Sequence, residues 1–506
     1  GRAGALGGAA GMAGSLLATA ARAAGPVKGG MMRLGMQGGS STDSLDPALA
    51  ASEVPAQVNM TWGETLVDVE SNGQLGLRVA EEVSSNADAT QWMFKIRKGV
   101  EYHDGGTVTA EDVVATLKRH TDENTKSGAQ GIVKGISDMK AEGDMVTLTL
   151  ASANADLPFL MADYHLIVQK AGGSANPTSG MGTGAYKVTE FEPGVRIAFE
   201  KFANYWDGSR GHVDQAEVLV INDNTARTAA IQSGQIQVMN RIDPKIVALL
   251  AGNTDVVIER AAGPGHYVFI MHCDKAPFDN NDLRMALKLA INREEMVEKI
   301  LGGMGSVGND FPINAAYPYF DDSIPQRKYD PAAATEAYKK SGHDGSPILL
   351  QVAPGAFPGA VEAAQLFQAS ANAAGIPLQV KLEPDDGYWS NVWNVAPFCA
   401  SYWGGRPVQD QMYSTAYLST AEWNDTRFVN PEFDKLLIAA RGELDAAKRK
   451  AEYSQMAMMV RDTGGLILPM FNDFVEGRRA EVGGWVANPA GSLMNGRVLA
   501  LCWLNA

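Results

Sequence analysis

The sequence predicts an α/β protein built from more than one domain, and three observations support this. The chain has 506 residues, which is too many for a single hydrophobic core. Residues 61–169 form a self-contained α+β pattern, and from about residue 263 helical stretches alternate with short apolar strands. Such alternation is typical of an α/β domain. No sequence period of about 20–50 residues recurs, so the pattern excludes a solenoid.

The first 24 residues are predicted to be an export signal. They contain almost only Gly, Ala, Leu, Met and Ser, and the stretch 3–21 has too few large apolar residues to anchor a transmembrane helix. Ala21-Arg22-Ala23 has the small-x-small form that signal peptidase reads, so cleavage is expected after residue 23 or 24. The mild apolar core is similar to twin-arginine signals, although the chain looks truncated and lacks the twin arginines themselves. A disordered Gly/Ala tail is the alternative.

The first half of the mature chain is predicted to combine strands with a capped helix. A strand at 29–36 runs into a Gly/Ser loop at 38–47, which is either a plain turn or a row of backbone N–H groups facing a ligand. Residues 91–100 alternate apolar and polar side chains, which indicates a strand with one buried face. Thr109 resembles a helix N-cap with acidic residues in the first turn, and 146–150 alternates again as a strand.

Helices and strands alternate through the second half. The clearest helical stretch divides into two pieces, because Asn292 and Glu295 form a second cap inside it. Gly375 ends the next helix, and the last helical region is long enough for two helices. The predicted segments are helices at 282–300, 360–374 and 431–463, and strands at 378–382 and 466–471.

No motif predicts catalysis, a cofactor or a metal. Residues 180–185 fit G-x-G-x-x-A, but 186–191 alternates like a strand where a dinucleotide loop must open a helix. G-x-S-x-G, H-E-x-x-H and the phosphate loop are all absent from the sequence. The seven histidines form no i, i+4 pair of metal-ligand type. A binding protein is therefore expected, and a secreted hydrolase is the remote alternative.

The net charge and the positions of the cysteines argue against several classes of binding partner and membrane anchor. The formal net charge of −15 at pH 7 argues against nucleic acid and against an anionic membrane surface. The three cysteines, Cys273, Cys399 and Cys502, lie far from the expected cleavage site, so no lipid anchor is expected. They are interpreted as small buried hydrophobic residues. A disulfide from Cys273 or Cys399 to Cys502 stays open.

Four stretches follow one another in a characteristic order along the chain. The most specific is 95–105, Lys-Ile-Arg-Lys-Gly-Val-Glu-Tyr-His-Asp-Gly, with Thr-Ala-Glu-Asp-Val-Val close behind at 109–114. The others are Ser-Leu-Asp-Pro at 44–47, Gly-Thr-Gly-Ala-Tyr at 182–186 with Asn-Tyr-Trp-Asp-Gly at 204–208, and Pro-Phe-Asp at 277–279 with the helix up to Glu294. Together they resemble the extracellular solute-binding proteins of family 5, the dipeptide- and oligopeptide-binding group. Only one family residue of the first stretch, a Trp, is replaced, by Tyr102.

The resemblance implies a type II periplasmic-binding-protein fold of cluster C, in which two lobes clamp a ligand and the N-terminal lobe carries an extra α+β domain. It implies domain I in 25–60, 170–262 and 469–506, domain II in 61–169, and domain III, the C-terminal lobe, in 263–468. The implied protein is a periplasmic, monomeric substrate-binding subunit of an ABC importer, without a lipid anchor. Its partners would be a small solute or short peptide and the ABC permease and ATPase subunits. Delivery to a sensory receptor is the alternative.

The expected ligand anchor departs from the peptide-binding pattern. Peptide binders of the family carry a strand that reads roughly W-x-x-D, whose Asp holds the free α-amino group of the peptide. Here Trp403 matches the Trp, and Arg406 stands in place of the Asp. A guanidinium suits a carboxylate or phosphate, so the ligand is expected to carry an anion, as an unusual dipeptide, an opine-like conjugate or an acidic sugar derivative would.

Two alternatives to this interpretation remain open. Asp410 could restore a carboxylate to the site through a shifted register. Arg406 could instead pair with Asp410 or Asp425 and turn outward. The other candidate ligand contacts, each with a plain structural role as its alternative, are Tyr402, Gly404, Trp423, Asn424, Tyr388, Trp389, Asn240, Arg241 and Ser41 with its neighbours Ser40 and Thr42.

Overall fold

The structure, a computed structural model, describes residues 25–505, so the predicted export signal lies outside the described residues. The strands are, in chain order, β1 (Met31–Met36), β2 (Val67–Val69), β3 (Leu75–Leu77), β4 (Ala80–Ser85), β5 (Gln91–Ile96), β6 (Ile136–Glu142), β7 (Met145–Leu150), β8 (Tyr186–Glu192), β9 (Arg196–Lys201), β10 (Gln215–Val220), β11 (Val238–Met239), β12 (Val256–Ala261), β13 (His266–Met271), β14 (Gly305–Val307), β15 (Ile348–Val352), β16 (Leu378–Leu382), β17 (Phe398–Trp403), β18 (Leu466–Asn472), β19 (Phe474–Arg479), β20 (Val482–Gly483) and β21 (Trp503–Leu504).

The right-handed α-helices surround the three larger sheets that these strands form. They are α1 (Glu53–Trp62), α2 (Ala110–Thr121), α3 (Gln130–Val133), α4 (Leu157–Leu160), α5 (Asn224–Ser233), α6 (Val247–Ala251), α7 (Asn281–Leu289), α8 (Arg293–Lys299), α9 (Pro331–Ser341), α10 (Ala360–Ala373), α11 (Tyr388–Asn391), α12 (Gln409–Ala416), α13 (Pro431–Gly442), α14 (Ala446–Thr463) and α15 (Val498–Leu501). Among the described residues, no helix is both long and apolar enough to cross a bilayer.

A seven-stranded sheet has the order β12-β19-β11-β1-β10-β9-β8. Its strands come from three separate stretches of the chain, residues 31–36, a central segment from 186 to 261 and the C-terminal segment 474–479. β1 runs parallel to β10 and β11, while β19 pairs antiparallel with β11 and β12. Because β1 lies in the middle of this sheet, the loop that follows it is carried to the edge that faces the second sheet.

A six-stranded sheet has the order β14-β18-β13-β17-β15-β16. Every residue of β13 and β18 is buried, and all but one residue of β17. Strands covered on both faces are continuously apolar rather than alternating, which explains the apolar runs in this half. The core around this sheet is the largest hydrophobic cluster of the described chain.

A four-stranded antiparallel sheet, β4-β5-β7-β6, packs against α2. The predicted Thr109 cap is confirmed, since its side chain accepts from the Asp112 backbone N–H in a full capping box. The Asn292 cap and the two helices within 431–463 are confirmed as well. The strand predicted at 91–100 ends earlier, at Ile96, because the chain turns at Gly99 with φ of +79°.

The chain crosses between the seven- and six-stranded sheets twice. The first crossing lies between β12 and β13, where a Cβ on Gly263 would fall 2.3 Å from the Pro489 carbonyl oxygen. The second is Asp473, between β18 and β19. The boundary predicted at 468/469 falls inside β18, because the buried strand continues to Asn472 before the chain changes sheets. The domain limits otherwise remain predictions.

The three cysteines are free thiols, and Cys399 and Cys502 are buried. Burial raises the pKa of Cys502 to about 12. The disulfide that the sequence left open is therefore not formed, and the interpretation as small buried residues fits Cys399 and Cys502.

Candidate functional site

The main cleft lies between the two large sheets and has an empty volume of about 890 Å³, part of it open to solvent. Four segments that are distant in sequence form its walls. They are α1, the turn after α4, the end of β17 with the loop that follows, and the segment 490–496. The polar and charged residues of the lining are Ser52, Glu53, Gln57, Asp163, Tyr164, Tyr402, Arg406, Gln411, Ser492 and Asn495.

Arg406 lines this cleft and is only 7% exposed. Its backbone N–H donates to the Tyr317 hydroxyl at 3.0 Å, and its Nη1 donates to the Gly405 carbonyl at 2.7 Å. Nε lies 3.6 Å from a carboxylate oxygen of Asp163. Within residues 25–505 nothing accepts a hydrogen bond from Nε or Nη2. A buried guanidinium with free N–H groups is costly unless a ligand accepts from them.

Asp163 is the negative group closest to Arg406. One carboxylate oxygen lies 2.5 Å from His165 Nδ1, and the other accepts from Gln411 Nε2 at 3.0 Å. Burial alone would raise the pKa of Asp163, but the His165 ring and the Arg406 guanidinium hold that pKa below its usual range. Asp163 is therefore ionised and is shared among three neighbours, so it neutralises Arg406 only in part.

Two amide oxygens of the cleft also lack a partner. The Oε1 atoms of Gln57 and Gln411 are buried and accept no hydrogen bond from any residue that the structure describes. Their orientation is fixed from the other side, since Gln57 Nε2 donates to the Gly496 carbonyl at 3.0 Å and Gln411 Nε2 donates to Asp163. The cleft thus offers unused donors at Arg406 and unused acceptors at the two glutamines.

A second, smaller cavity adjoins the cleft and is lined by Arg241; its empty volume of about 470 Å³ includes open solvent. The Arg241 guanidinium lies 3.8 Å from the centre of the Tyr402 ring, and its Nε donates to Glu53 at 2.9 Å. Asn240 Nδ2 donates to the other carboxylate oxygen of Glu53 at 2.6 Å and to the Gln37 carbonyl at 3.1 Å. Asn240 thus holds Glu53, which in turn positions Arg241 against Tyr402.

The predicted aromatic wall is placed differently by the structure. The Trp403 indole N–H donates to Asp425 at 3.2 Å, and its ring packs 5.9 Å from Trp423 and 6.3 Å from Trp393. Trp403 borders the second cavity but not the main cleft. The reason is strand alternation, which turns Tyr402 toward the cleft and its neighbour into the core.

Neither alternative for Arg406 fits the structure. Asp410 accepts from Arg441 Nε at 2.6 Å and from Asn154 and Ser414 at 2.9 Å each, so it is fully engaged away from the cleft. Asp425 accepts from two indoles, and burial raises its pKa to about 7. Arg406 faces the cleft beside Asp163 instead.

Four other predicted ligand contacts make hydrogen bonds and packing contacts within the fold and do not line the main cleft. The Tyr388 hydroxyl donates to the Ala400 carbonyl at 2.7 Å, and the Asn424 side chain bonds to the backbone of Phe428. Trp389 packs edge-on against Tyr402 at 5.1 Å. Trp389, Trp423 and Asn424 border a separate groove that is open to solvent.

Ser41 joins the two halves of the molecule. Its N–H and hydroxyl both donate to Asp386 at 2.8 Å, and the Ser40 hydroxyl donates to the same carboxylate at 3.1 Å. The Thr42 and Ser390 hydroxyls lie 3.1 Å apart in the same contact. The first loop therefore meets the partner lobe rather than the cleft.

Gln57, Asp163, Glu53 and Gln411 were missed by the sequence reasoning. No motif or charge run sets them apart, because each is a single polar residue in an ordinary helix or turn. Only the fold brings α1, the 161–165 turn and α12 to one cavity.

Comparison with known proteins identifies a matching family model and relatives from the same class of binding protein. The family model described as "Bacterial extracellular solute-binding proteins, family 5 Middle" matches residues 74–425. The chain is 24% identical to the periplasmic oligopeptide-binding protein OppA of Haemophilus influenzae, over 86% of this chain and 87% of that protein.

Two solved structures superpose closely on this fold. One is the binding protein AgaA of A. tumefaciens R10 in complex with agropinic acid, with a TM-score of 0.85 and 21% identity over 94% of this chain and 99% of that one. The other is DppA of Helicobacter pylori in complex with the peptide STSA, with a TM-score of 0.84 and 20% identity over 95% and 99% of the two chains.

Proposed function

The chain belongs to the bacterial extracellular solute-binding proteins of family 5, and we propose that it captures a small acidic solute at Arg406 and delivers it to the permease of an ABC importer. Its fold is the predicted type II periplasmic-binding-protein fold. The family's members are binding proteins, and we propose that this chain works outside the cytoplasmic membrane and leaves its solute chemically unchanged.

The proposal of an acidic ligand rests on the buried and incompletely hydrogen-bonded guanidinium of Arg406. Its guanidinium is buried in the cleft wall, and its Nε and Nη2 have no acceptor among the described residues. A ligand carboxylate would accept from both atoms, and charge-assisted bonds of this kind are about twice as strong as neutral ones. The unused oxygens of Gln57 and Gln411 would accept from an amine or hydroxyl of the same solute. Asp163 remains beside the site and disfavours a bulky anion with more than one negative charge at that point.

The ligands of similar proteins indicate the chemical classes to which this solute could belong. The relative OppA is named as an oligopeptide-binding protein, AgaA was solved in complex with agropinic acid, and DppA was solved in complex with the peptide STSA. The Asp that anchors the free amine in peptide binders is replaced here by Arg406, so the solute would dock with an acid group at that point. We therefore place the solute among acidic conjugates, opine-like compounds and unusual dipeptides rather than among ordinary peptides.

Thermal-shift screening of refolded, ligand-free protein tests the proposal. Compounds with a free carboxylate should raise the melting temperature, whereas dipeptides amidated at the carboxylate should not. Strong stabilisation by amidated peptides with free amines, without any by acids, would refute the role of Arg406.

A variant pair tests the same residue directly. Arg406→Gln should weaken binding of the best acid about tenfold or more, because two charge-assisted hydrogen bonds are lost. Lys98→Gln removes the same charge from a side chain that is 82% exposed and serves as the control. Equal affinity of the two variants would contradict the proposal.

A further inference from the structure

The second cavity contains another buried guanidinium with two nitrogens that have no acceptor among residues 25–505. Arg241 is 7% exposed, and neither Nη1 nor Nη2 finds an acceptor among residues 25–505. Its Nε is used by Glu53, and Tyr402 covers one face of the group. The free edge of Arg241 is therefore its Nη1–Nη2 end, which presents two donors side by side, as bidentate binding of a carboxylate requires.

This cavity adjoins the main cleft. Both are lined by Glu53, Tyr402, Gly404, Phe474 and Ser492. Arg241 borders only the smaller cavity and Arg406 only the larger one, and Tyr402 stands in the wall of both. A solute that contacts both guanidinium groups would have to extend past Tyr402.

The local charges leave room for an anion. The Glu53 carboxylate is engaged by Arg241 and Asn240, and the Asp473 carboxylate is paired with Arg260. Glu476 accepts from the Ser492 hydroxyl and the Leu493 backbone N–H, and burial raises its pKa to about 8, so it is largely uncharged at neutral pH. No unpaired negative charge among these carboxyl groups therefore opposes an acid group at Arg241.

We propose that Arg241 forms a second acid-binding subsite and that the solute carries two acid groups, one at Arg406 and the other at Arg241. This rests on the proposed function, which places the first acid group at Arg406. The side-chain oxygen of Asn472 in the same cavity also has no donor in the described part of the chain. It accepts from an amine or hydroxyl next to the second acid group, as found in dicarboxylates built around a secondary amine.

Matched ligand pairs test the second subsite in the wild-type protein by isothermal titration calorimetry. One pair is N-acetylglutamate and N-acetylglutamine, and the other is an N-(1-carboxyethyl) amino acid and its monoamide. The diacid should bind about tenfold or more tightly than the monoamide, because one charge-assisted contact is lost with the amide. Equal affinity within both pairs, a preference for the amide, or failure of every diacid to bind at millimolar concentration overturns the proposal.

Two variants assign the preference to Arg241. Arg241→Gln removes the donors but leaves Glu53 without its cation, so Glu53→Gln/Arg241→Gln is made as well, because removing both partners avoids an isolated buried charge. In both variants the diacid preference should disappear, because the diacid loses more affinity than the monoamide. A preference that survives in the double variant overturns the subsite.

The Arg406→Gln protein separates this proposal from the first. It should lose diacid and monoamide binding alike. If both ligands bind Arg406→Gln as tightly as wild type, the proposed function fails. If, in that protein, the diacid preference still depends on Arg241, the second subsite stands independently.

Discussion

At the scale of single residues, the buried arginines differ in how completely their guanidinium groups are paired. Arg441 donates to Asp410 and to Ser414, and the Asp410 carboxylate also accepts from Asn154 and Ser414. Several buried arginines, among them Arg497, have guanidinium nitrogens without an acceptor in residues 25–505, and Arg406 and Arg241 are the two of these that line the cavities described above. Completed pairs stabilise the fold, whereas incomplete ones have capacity for a ligand.

The pair of Arg441 and Asp410 predicts a loss of stability without a loss of binding. Asp410→Asn leaves Arg441 as an uncompensated buried charge, so the free energy of unfolding in urea should fall by about 3–5 kcal/mol. Affinity for the best acid should stay within about twofold, because Asp410 does not line the cleft. Asp344→Asn, at a side chain that is 79% exposed, should change stability by less than about 0.5 kcal/mol. If Asp410→Asn weakens binding without changing stability, Asp410 contacts the ligand and the prediction is wrong.

Glu476 predicts how stability depends on pH. Burial raises its pKa from the ordinary 4.5 to about 8, so between these values the unfolded chain has released a proton that the folded protein keeps. The unfolded state then binds fewer protons, and the free energy of unfolding decreases as the pH rises. Glu476→Gln keeps an oxygen for Ser492 and Leu493 but never ionises. The variant should equal wild type near pH 4.5 and exceed it by about 4 kcal/mol at pH 8. A difference that is the same at both pH values would contradict the assignment.

At the scale of elements, the cleft contains a left-handed turn. Leu493, Met494 and Asn495 have φ of 51°, 59° and 56°, and Gly496 follows at 75°. Left-handed helical conformation costs L-residues about 1–2 kcal/mol each, so the surrounding contacts must hold the turn. Glu476 bonds its start, and Gln57 Nε2 donates to the Gly496 carbonyl at its end. Such strain is concentrated at functional sites.

Gly496→Ala tests this turn. A Cβ at residue 496 would lie 3.1 Å from two side-chain carbons of Met60 and would add a fourth non-glycine residue to the left-handed stretch. We expect a loss of about 1–3 kcal/mol in urea unfolding and weaker acid binding, since Gln57 would shift with its carbonyl partner. Gly208→Ala, where a Cβ meets nothing within 4 Å, is the control and should be nearly neutral. Gly496→Ala behaving like the control would show that the turn is not strained.

The elements show what could be predicted from sequence. The Thr109 and Asn292 caps and the divided helical stretches were predictable, because a cap or a period of apolar residues is a property of neighbouring residues. Arg406 was identified as a cleft residue because a family pattern marks its place. The glutamines of the cleft, Asp163 and the left-handed turn were not predictable. They become a site only when segments that are hundreds of residues apart meet, and no local pattern records that meeting. Trp403 lines the second cavity and not the main cleft, which was not predictable because a match in sequence does not show which face of a strand a side chain occupies.

At the scale of the whole molecule, segments on the two sides of the crossings contact one another at several points. Asp386 binds the first loop, Asp156 lies 2.5 Å from Arg449, and Lys245 lies 3.1 Å from Glu362. These contacts join segments on opposite sides of the two crossings, so this conformation is a closed one. A hinge motion about the crossings at 262–265 and Asp473 would break them together, and ligand contacts to both sides would favour their formation.

Asp386 allows closure to be tested separately from the ligand site. It accepts three hydrogen bonds from Ser40 and Ser41 but lines neither cavity. The Ser41 backbone N–H and hydroxyl hold the pKa of Asp386 below its usual range, so the contact persists at neutral pH. Asp386→Ala should therefore shift the protein toward the open state while leaving the ligand-binding groups intact.

We expect dissociation of the best acid from Asp386→Ala in stopped-flow measurements to become about three- to tenfold faster. The radius of gyration of the ligand-free protein in X-ray scattering should increase, whereas the exposed Asp322→Ala on the same lobe should change neither quantity. An unchanged dissociation rate in Asp386→Ala would show that the ligand alone holds the lobes closed, and that the contact between Ser41 and Asp386 follows closure without stabilising it.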